Sequence, residues 1–298
     1  MPVRSLGYLR VGTEDVEAWR QFAGEFLGMM AVEGDDPESL YYRMDDFPAR
    51  LVISPAAQAG VGAIGFEVLG GEELDEMATT VEDTGTKVTP LDAVECKDRR
   101  VTAAVRFDDP AGNALELFYG PALSHKPVVM PNVNAFVTGR QGMGHVVVTV
   151  PEGQPAYEFY TKALGFKGRN TLRLPAAPGP DGSPRFETLW FLGCNPRHHT
   201  IGILPMAGPG RLVHFMVEGA TIDDVGQAWD RAERLEVPVM QTLGRHTNDR
   251  MVSFYVISPD GFAVEFGFDG LQVEGDEPVY EITEGAFWGH KFVNFPKL

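Results

Sequence analysis

Three side chains that lie far apart in the chain could together hold a metal ion. They are His145 in "GMGHVVV" (142–148), His214 in "LVHFMV" (212–217) and Glu265 in "FAVEFGF" (262–268). Each lies in, or opens, a run that reads as a buried strand, where an unpaired polar group is costly. Strand alternation sets Glu265 on the face of Ala263 and Gly267. Two imidazoles and one carboxylate meeting on one face form the set that binds non-haem Fe(II) and leaves positions open. Neutral imidazole suits a borderline metal. A single carboxylate cancels part of the dication's charge and leaves it electrophilic. The open positions can take two substrate oxygens and dioxygen. Mn(II) accepts the same ligands, and zinc is a further possibility.

The chain supplies its own comparison, because it repeats itself. "RFDDPAGNALELFYG" (106–120) matches "YVISPDGFAVEFGFDG" (255–270), which aligns Pro110 with Pro259 and Glu116 with Glu265. "SLGYLRV" matches "GMGHVVV", which aligns Tyr8 with His145, and "GAIGFEV" (62–68) sets Gly65 against His214. Six of the seven histidines follow residue 140. The scaffold can thus be built without histidine at these places, so folding alone does not explain them. The retained Glu116 shows that a glutamate here can also serve to cap or brace.

Two further motifs crowd the second half. "CNPRHHT" (194–200) lies at a turn between strand-like "WFLG" and "TIGILP". Its His198 reads as a solvent-facing turn residue, whereas His199 lies closer to the following strand. "GRHTND" (244–249) carries His246, Asn248 and Asp249, just before the strand that holds Tyr255. Alternate residues point the same way, so His246 and Asn248 can share a face. A histidine near a dication and a bound phenol can hold or pass a proton near neutral pH. Plainer roles are capping or turn formation for Asp249 and core packing for Tyr255.

The elements that must position these groups follow from periodicity. "EDVEAWRQFAGEFLG" (14–28) and "QPAYEFYTKALG" (154–165) space apolar residues by three and four, as helices do. Gly28 and Gly165 stand where a helix C-cap favours a left-handed residue. Alternating strands complete each unit. Four βαβββ units result, starting near residues 3, 61, 141 and 211, in an α+β fold of two paired, barrel-like domains. The expected division is residues 1–123, a metal-free half, then a Pro- and Asn-bearing linker over 124–139, then a metal-binding half over 140–298. A unit's curved sheet, paired with a second, encloses a cavity suited to a ligand.

The totals narrow the function classes. The 298 residues fit two ordinary domains, and 44% hydrophobic with 22% charged residues is globular composition. A net charge of −17 disfavours nucleic acid as a partner. No apolar run reaches the roughly 18 residues that span a bilayer, and the N-terminus does not read as a secretory signal. Cys96 and Cys194 are too few for a disulfide framework, which suits a reducing cytoplasm.

Taken together, "GMGHVVV", "CNPRHHT", "VHFMVE", "GRHTND", "SFYVISPDGFAVEFG" and "WGHKF", with "RSLGYLRV" and "YYRMDDFPARLVI" near the start, resemble a known family. It is the two-domain, type I extradiol ring-cleaving dioxygenases of the vicinal oxygen chelate superfamily, and the likeness spans nearly the whole chain. The resemblance implies that His145, His214 and Glu265 bind Fe(II). It implies that His199 is the active-site acid/base and that His246 and Tyr255 hydrogen-bond the bound catecholate. Asn248 and Asp249 match positions supporting that pocket. It further implies cleavage of a catechol by dioxygen in aromatic-compound degradation, and a homo-oligomer, often an octamer. The substrate is expected to be 2,3-dihydroxybiphenyl or a similarly bulky catechol. A steroid-derived, alkyl- or naphthalene-derived catechol is the alternative. The Pro- and Gly-rich stretch 173–190 departs from the nearest members and reads as a pocket rim. Two other function classes compete: a glyoxalase-like metal isomerase or transferase, and a non-catalytic module that binds an aromatic ligand.

Overall fold

A computed structural model describes residues 3–178, 181–275 and 277–295 of the chain. The first half runs β1 (Val3–Thr13), α1 (Val16–Trp19, continued by a wide π turn over Arg20–Phe26), β2 (Met30–Val32), β3 (Leu40–Arg43) and β4 (Leu51–Pro55). It continues with β5 (Gly60–Val68), α2 (Gly71–Glu82), β6 (Thr89–Pro90), α3 (Ala93–Arg99), β7 (Ala103–Asp108) and β8 (Ala114–Tyr119). The second half repeats this plan. β9 (His145–Val150), α4 (Gly153–Glu158, continued by a π turn over Phe159–Ala163), β10 (Lys167–Ala176), β11 (Arg185–Gly193) and β12 (Ile201–Pro205) form one unit. β13 (Leu212–Glu218), α5 (Ile222–Arg234), β14 (Val239–His246), β15 (Val252–Ile257) and β16 (Ala263–Phe268) form the next, and β17 (Tyr280–Ile282) and β18 (Ala286–Trp288) follow. No helix among the described residues is long and apolar enough to cross a membrane.

The two halves share one strand order. The first sheet runs β2-β3-β4-β1-β5-β8-β7-β6, and the second has the same sequence of equivalents with β17 and β18 added at its edges. In each, a central antiparallel pair (β1 with β5, β9 with β13) joins two units, and each central strand has a parallel neighbour. The four-unit α+β architecture expected from the repeat is therefore present. Helix α3 was not foreseen; an Asp92–Glu95 capping box starts it.

Periodicity placed the helical stretches correctly but not their form. After one ordinary turn, both α1 and α4 widen into a π-helix. Gly28 (φ 76°) and Gly165 (φ 71°) then end the two stretches in the left-handed region. The stretch 173–190 is mostly hairpin rather than loop. β10 and β11 pair as far as Ala176 and Arg185, which leaves a short connection whose residues 179 and 180 lie outside the described residues.

The helices pack between the sheets and carry the main core across both halves. Trp19 of α1 stacks near Phe262 at 5.7 Å, and Phe66 meets Phe166 edge-on at 5.3 Å. Asp260 ties the halves by accepting from Trp19 Nε1 at 2.7 Å and Thr13 Oγ1 at 2.8 Å. The opposite face of each sheet lines a lumen, and the two lumens differ. In the first half Tyr8, Phe47, Leu91, Val101, Ala104 and Phe118 fill it, with the Tyr8 and Phe118 rings stacked at 4.8 Å. In the second half the equivalent space holds histidines.

Candidate active site

His145 opens β9, His214 lies on β13 and Glu265 on β16. Met216 is paired on one side with His145 and on the other with Glu265, so those two residues stand two strands apart. A flat sheet would keep their backbones about 9–10 Å apart with parallel side chains. The curl of this sheet brings the side chains together. His145 Nε2 is 3.1 Å from His214 Nε2 and 3.2 Å from Glu265 Oε2, and His214 Nε2 is 3.6 Å from the same oxygen. Ligands bound at about 2.0–2.2 Å would be separated by distances of this order.

Two glycines let β9 start there. At Gly144 (φ 150°) an added Cβ would fall 1.8 Å from the Met216 carbonyl oxygen, and at Gly142 (φ 67°) 2.4 Å from that of Leu6. Burial pushes the His214 imidazole down to about 3, helped by His145, so that ring is neutral. Burial alone would raise the Glu265 carboxyl, but hydrogen bonds from His145 and His246 and the nearby charge hold it well below the usual range. A neutral His214 imidazole beside an ionised Glu265 carboxylate has the protonation states a metal requires, so the donor set fits a divalent ion.

Around this triad the second motifs converge. Tyr255 sits directly opposite Glu265 in the β15–β16 ladder. Its hydroxyl is 2.8 Å from His246 Nε2, which is itself 3.3 Å from Glu265 Oε1. His246 Nδ1 donates to the Gly285 carbonyl at 3.0 Å. Burial would lower the His246 pKa, but the Glu265 hydrogen bond and charge outweigh it and raise it to about 9. The His199 ring lies 4.0 Å from that of His145 and meets Phe191 edge-on at 4.8 Å. Its pKa is held well below the ordinary value by burial, then by His145 and His198. Asp249 Oδ2 stands 3.8 Å from His199 Nδ1, and Asp249 Oδ1 accepts from the Met251 amide at 3.1 Å. His145, His199 and Asp249 form a second, overlapping group of possible ligands, though a looser one. Asn248 is buried, but among the described residues it makes no hydrogen bond to this cluster.

Two expectations need correction. His198 is not a solvent-facing turn residue. It is 2% exposed, with its Nδ1 3.1 Å from His199 Nδ1. The turn folds inward between β11 and β12 instead of outward. The repeat alignment also shifts by two residues on one strand. Tyr8 pairs with Gly65 and Arg10 with Ala63, whereas His145 pairs with Met216 and Val147 with His214. The place of His214 is therefore taken by Ala63. Gly65 is glycine because the Tyr8 ring lies across it, 2.3 Å from where a Cβ would stand.

Sequence reasoning missed two members of the cluster. Ser253 Oγ donates to Glu265 Oε1 at 2.5 Å. Its signal was available, since Ser253 stands two residues before Tyr255 and so on the same face. His290 stacks on His246 with ring centroids 4.0 Å apart. It appeared in "WGHKF", but nothing local shows where that segment folds. A large groove between the halves, lined by Arg4, Asp45, Arg50, Lys167 and Asn195 among others, includes none of these side chains. The candidate site is inside the second lumen.

Known proteins similar to this chain match it over nearly its whole length. The family described as Dihydroxybiphenyl dioxygenase BphC D1 matches residues 6–56, and the Glyoxalase/Bleomycin resistance protein/Dioxygenase superfamily matches residues 142–266. The chain is 44% identical to an iron-dependent extradiol dioxygenase of Rhodococcus jostii (strain RHA1), covering 98% of each chain. It is 38% identical to a biphenyl-2,3-diol 1,2-dioxygenase of Metapseudomonas furukawaii, over 98% of this chain and 95% of that one. Among solved structures it superimposes on BphC, a halotolerant catechol dioxygenase, with a TM-score of 0.89 and 35% identity, over 98% of this chain and 95% of that one.

Proposed function

We propose how this chain, which belongs to the extradiol dioxygenases of the glyoxalase/bleomycin resistance protein/dioxygenase superfamily and cleaves a catechol ring, carries out that cleavage. From that premise we propose that His145, His214 and Glu265 hold Fe(II), and that a bulky catechol such as 2,3-dihydroxybiphenyl is the substrate. The observation that carries the metal assignment is the convergence of two Nε2 atoms and one carboxylate oxygen within 3.1–3.6 Å. When bound, Fe(II) supplies Lewis acidity and one-electron chemistry toward dioxygen. Mn(II) fits the same donors. The iron-dependent relative favours Fe(II).

The chain's own groups then divide the work. Ser253 and His246 hold the Glu265 carboxylate on its Oε1 side, which leaves Oε2 for the metal. Tyr255 and His246 form a hydrogen-bonded pair beside Glu265, placed to donate hydrogen bonds to a catecholate oxygen and orient it. His199 is neutral and walled by Phe191 and His145, with Nδ1 turned toward His198 and Asp249. Its Nε2 is then the atom at which it holds or returns a proton during ring opening. Asp249 buttresses this wall from beside His199. Phe191 and the neighbouring strands keep bulk water out.

Iron-loaded enzyme should turn an anaerobic mixture with 2,3-dihydroxybiphenyl yellow on admission of air. His199→Ala should lower kcat by roughly a hundredfold or more while the enzyme keeps its iron. No coloured product from any substituted catechol would reject the reading. We further propose a homo-oligomer, supported by the exposed Phe287, Trp288, Phe292 and Phe295 near the C-terminus.

A further inference from the structure

We propose that His290 is a positioning residue of the ring-cleaving site, holding the His246 ring in place by face-to-face stacking from a C-terminal strap. The inference rests on the function proposed above. The strap reaches His246 three times. β18 pairs Ala286 with His246 and Trp288 with Arg245. The Gly285 carbonyl accepts from His246 Nδ1 at 3.0 Å. The chain then turns back, and His290 lays its ring on that of His246, with centroids 4.0 Å apart and planes 14° apart. The same ring meets Tyr255 edge-on at 5.7 Å and 69°.

The turn is built at a cost. Gly289 adopts φ 74°, and a Cβ there would fall 2.1 Å from the Leu243 carbonyl oxygen. His290 itself adopts φ 48°, a left-handed conformation that is uncommon outside glycine, asparagine, aspartate and histidine. Gly244 clears the slot, since a Cβ on it would lie 2.5 Å from His290 Cδ2. His290 is 9% exposed, and neither ring nitrogen has a hydrogen-bond partner among the described residues. For stability alone this is a poor arrangement, because a polar ring is buried with no hydrogen bond in return among the described residues. What it achieves is a flat surface against His246. Contacts with Tyr255, Glu265 and Gly285 fix the edge of the His246 ring, and among the described residues the parallel stack on His290 braces its face. A ring free to tilt would lose its alignment with Tyr255 and with a catecholate oxygen, and alignment of this kind governs rate.

The test compares iron-loaded wild type with His290→Ala and His290→Phe. Wild-type turnover of a catechol confirms the underlying function; if wild type cleaves none, that reading fails and not this one. Given turnover, His290→Ala should lower kcat by about tenfold with KM for the catechol and iron content unchanged. His290→Phe, which keeps a flat ring, should recover most of the loss. In crystals of His290→Ala, His246 Nδ1 should leave the Gly285 carbonyl or the ring should take a second orientation. Three results would overturn the proposal: wild-type kcat in His290→Ala, a raised KM with kcat intact, or His290→Phe no better than alanine.

Discussion

Glu116 and Glu265 occupy matching places on β8 and β16, yet different groups answer their charge. Glu116 accepts from Tyr8 at 2.6 Å, from Arg99 Nε and Nη2 at 2.7 Å each and from Arg106 Nη2 at 2.8 Å. Guanidinium groups stand there where the second half presents imidazoles. Burial would raise the Glu116 carboxyl, but Arg99, Tyr8 and Arg106 together hold it below the usual range. Its folded-state value is thus depressed. The stability it contributes is complete above the unfolded value, about 4.3, and is lost as pH falls through the folded value. Glu116→Gln should therefore destabilise the protein by about 3 kcal/mol at pH 7, because it leaves Arg99 buried without its counter-charge. Urea unfolding should show that deficit shrinking as the pH is lowered below about 4. A deficit that does not vary with pH would mean the ion pairs are not its source. The same carboxylate shows what the sequence could reveal. Its recurrence at both places was visible, but its partners were not, since Arg99 lies on a helix that hydrophobic spacing does not announce.

At the scale of elements, the sheet decides what the site can be. The strand assignments around His145, His214, Tyr255 and Glu265 were legible because apolar alternation is a local signal. The inward fold of the His198 turn, the π turns after α1 and α4, and the two-residue shift that sets Ala63 in the place of His214 were not legible. Each depends on pairing with a distant strand or packing against the other half. The opening "GMGH" is a case where the sequence raised a question that only the register answers: Gly144 is needed because β13 passes too close for a side chain. Gly144→Ala should push the start of β9 away from β13 and carry His145 with it. We expect at least a tenfold loss of iron affinity, with a cost to folding of about 1–3 kcal/mol. Iron titration followed by thermal melting checks both. Unchanged affinity would show that β9 tolerates the displacement.

Across the whole molecule, the main core is shared between the halves while each lumen is private. Asp260, Trp19 and Thr13 fasten one half to the other, so a change in either sheet is felt in both. The outer edges are less well covered. Phe287, Trp288, Phe292 and Phe295 form an apolar surface beside the strap, with the Phe292 and Phe295 rings stacked at 5.2 Å. If copies of the chain meet there, light scattering should give a mass that is a multiple of one chain. Phe287→Asp with Phe292→Asp should then reduce it, whereas a single-chain mass for the unaltered protein would end that view.

The packed first lumen has a consequence for anyone who adds iron to this protein. Tyr8 and Phe118 stack in the room an ion would need, and Arg99 already pairs with the Glu116 carboxylate. On the function proposed above, iron is expected at one address in each polypeptide, the second lumen. Its colour and magnetism should then come from one coordination environment, so that spectra of the loaded enzyme can be read without subtracting a silent twin.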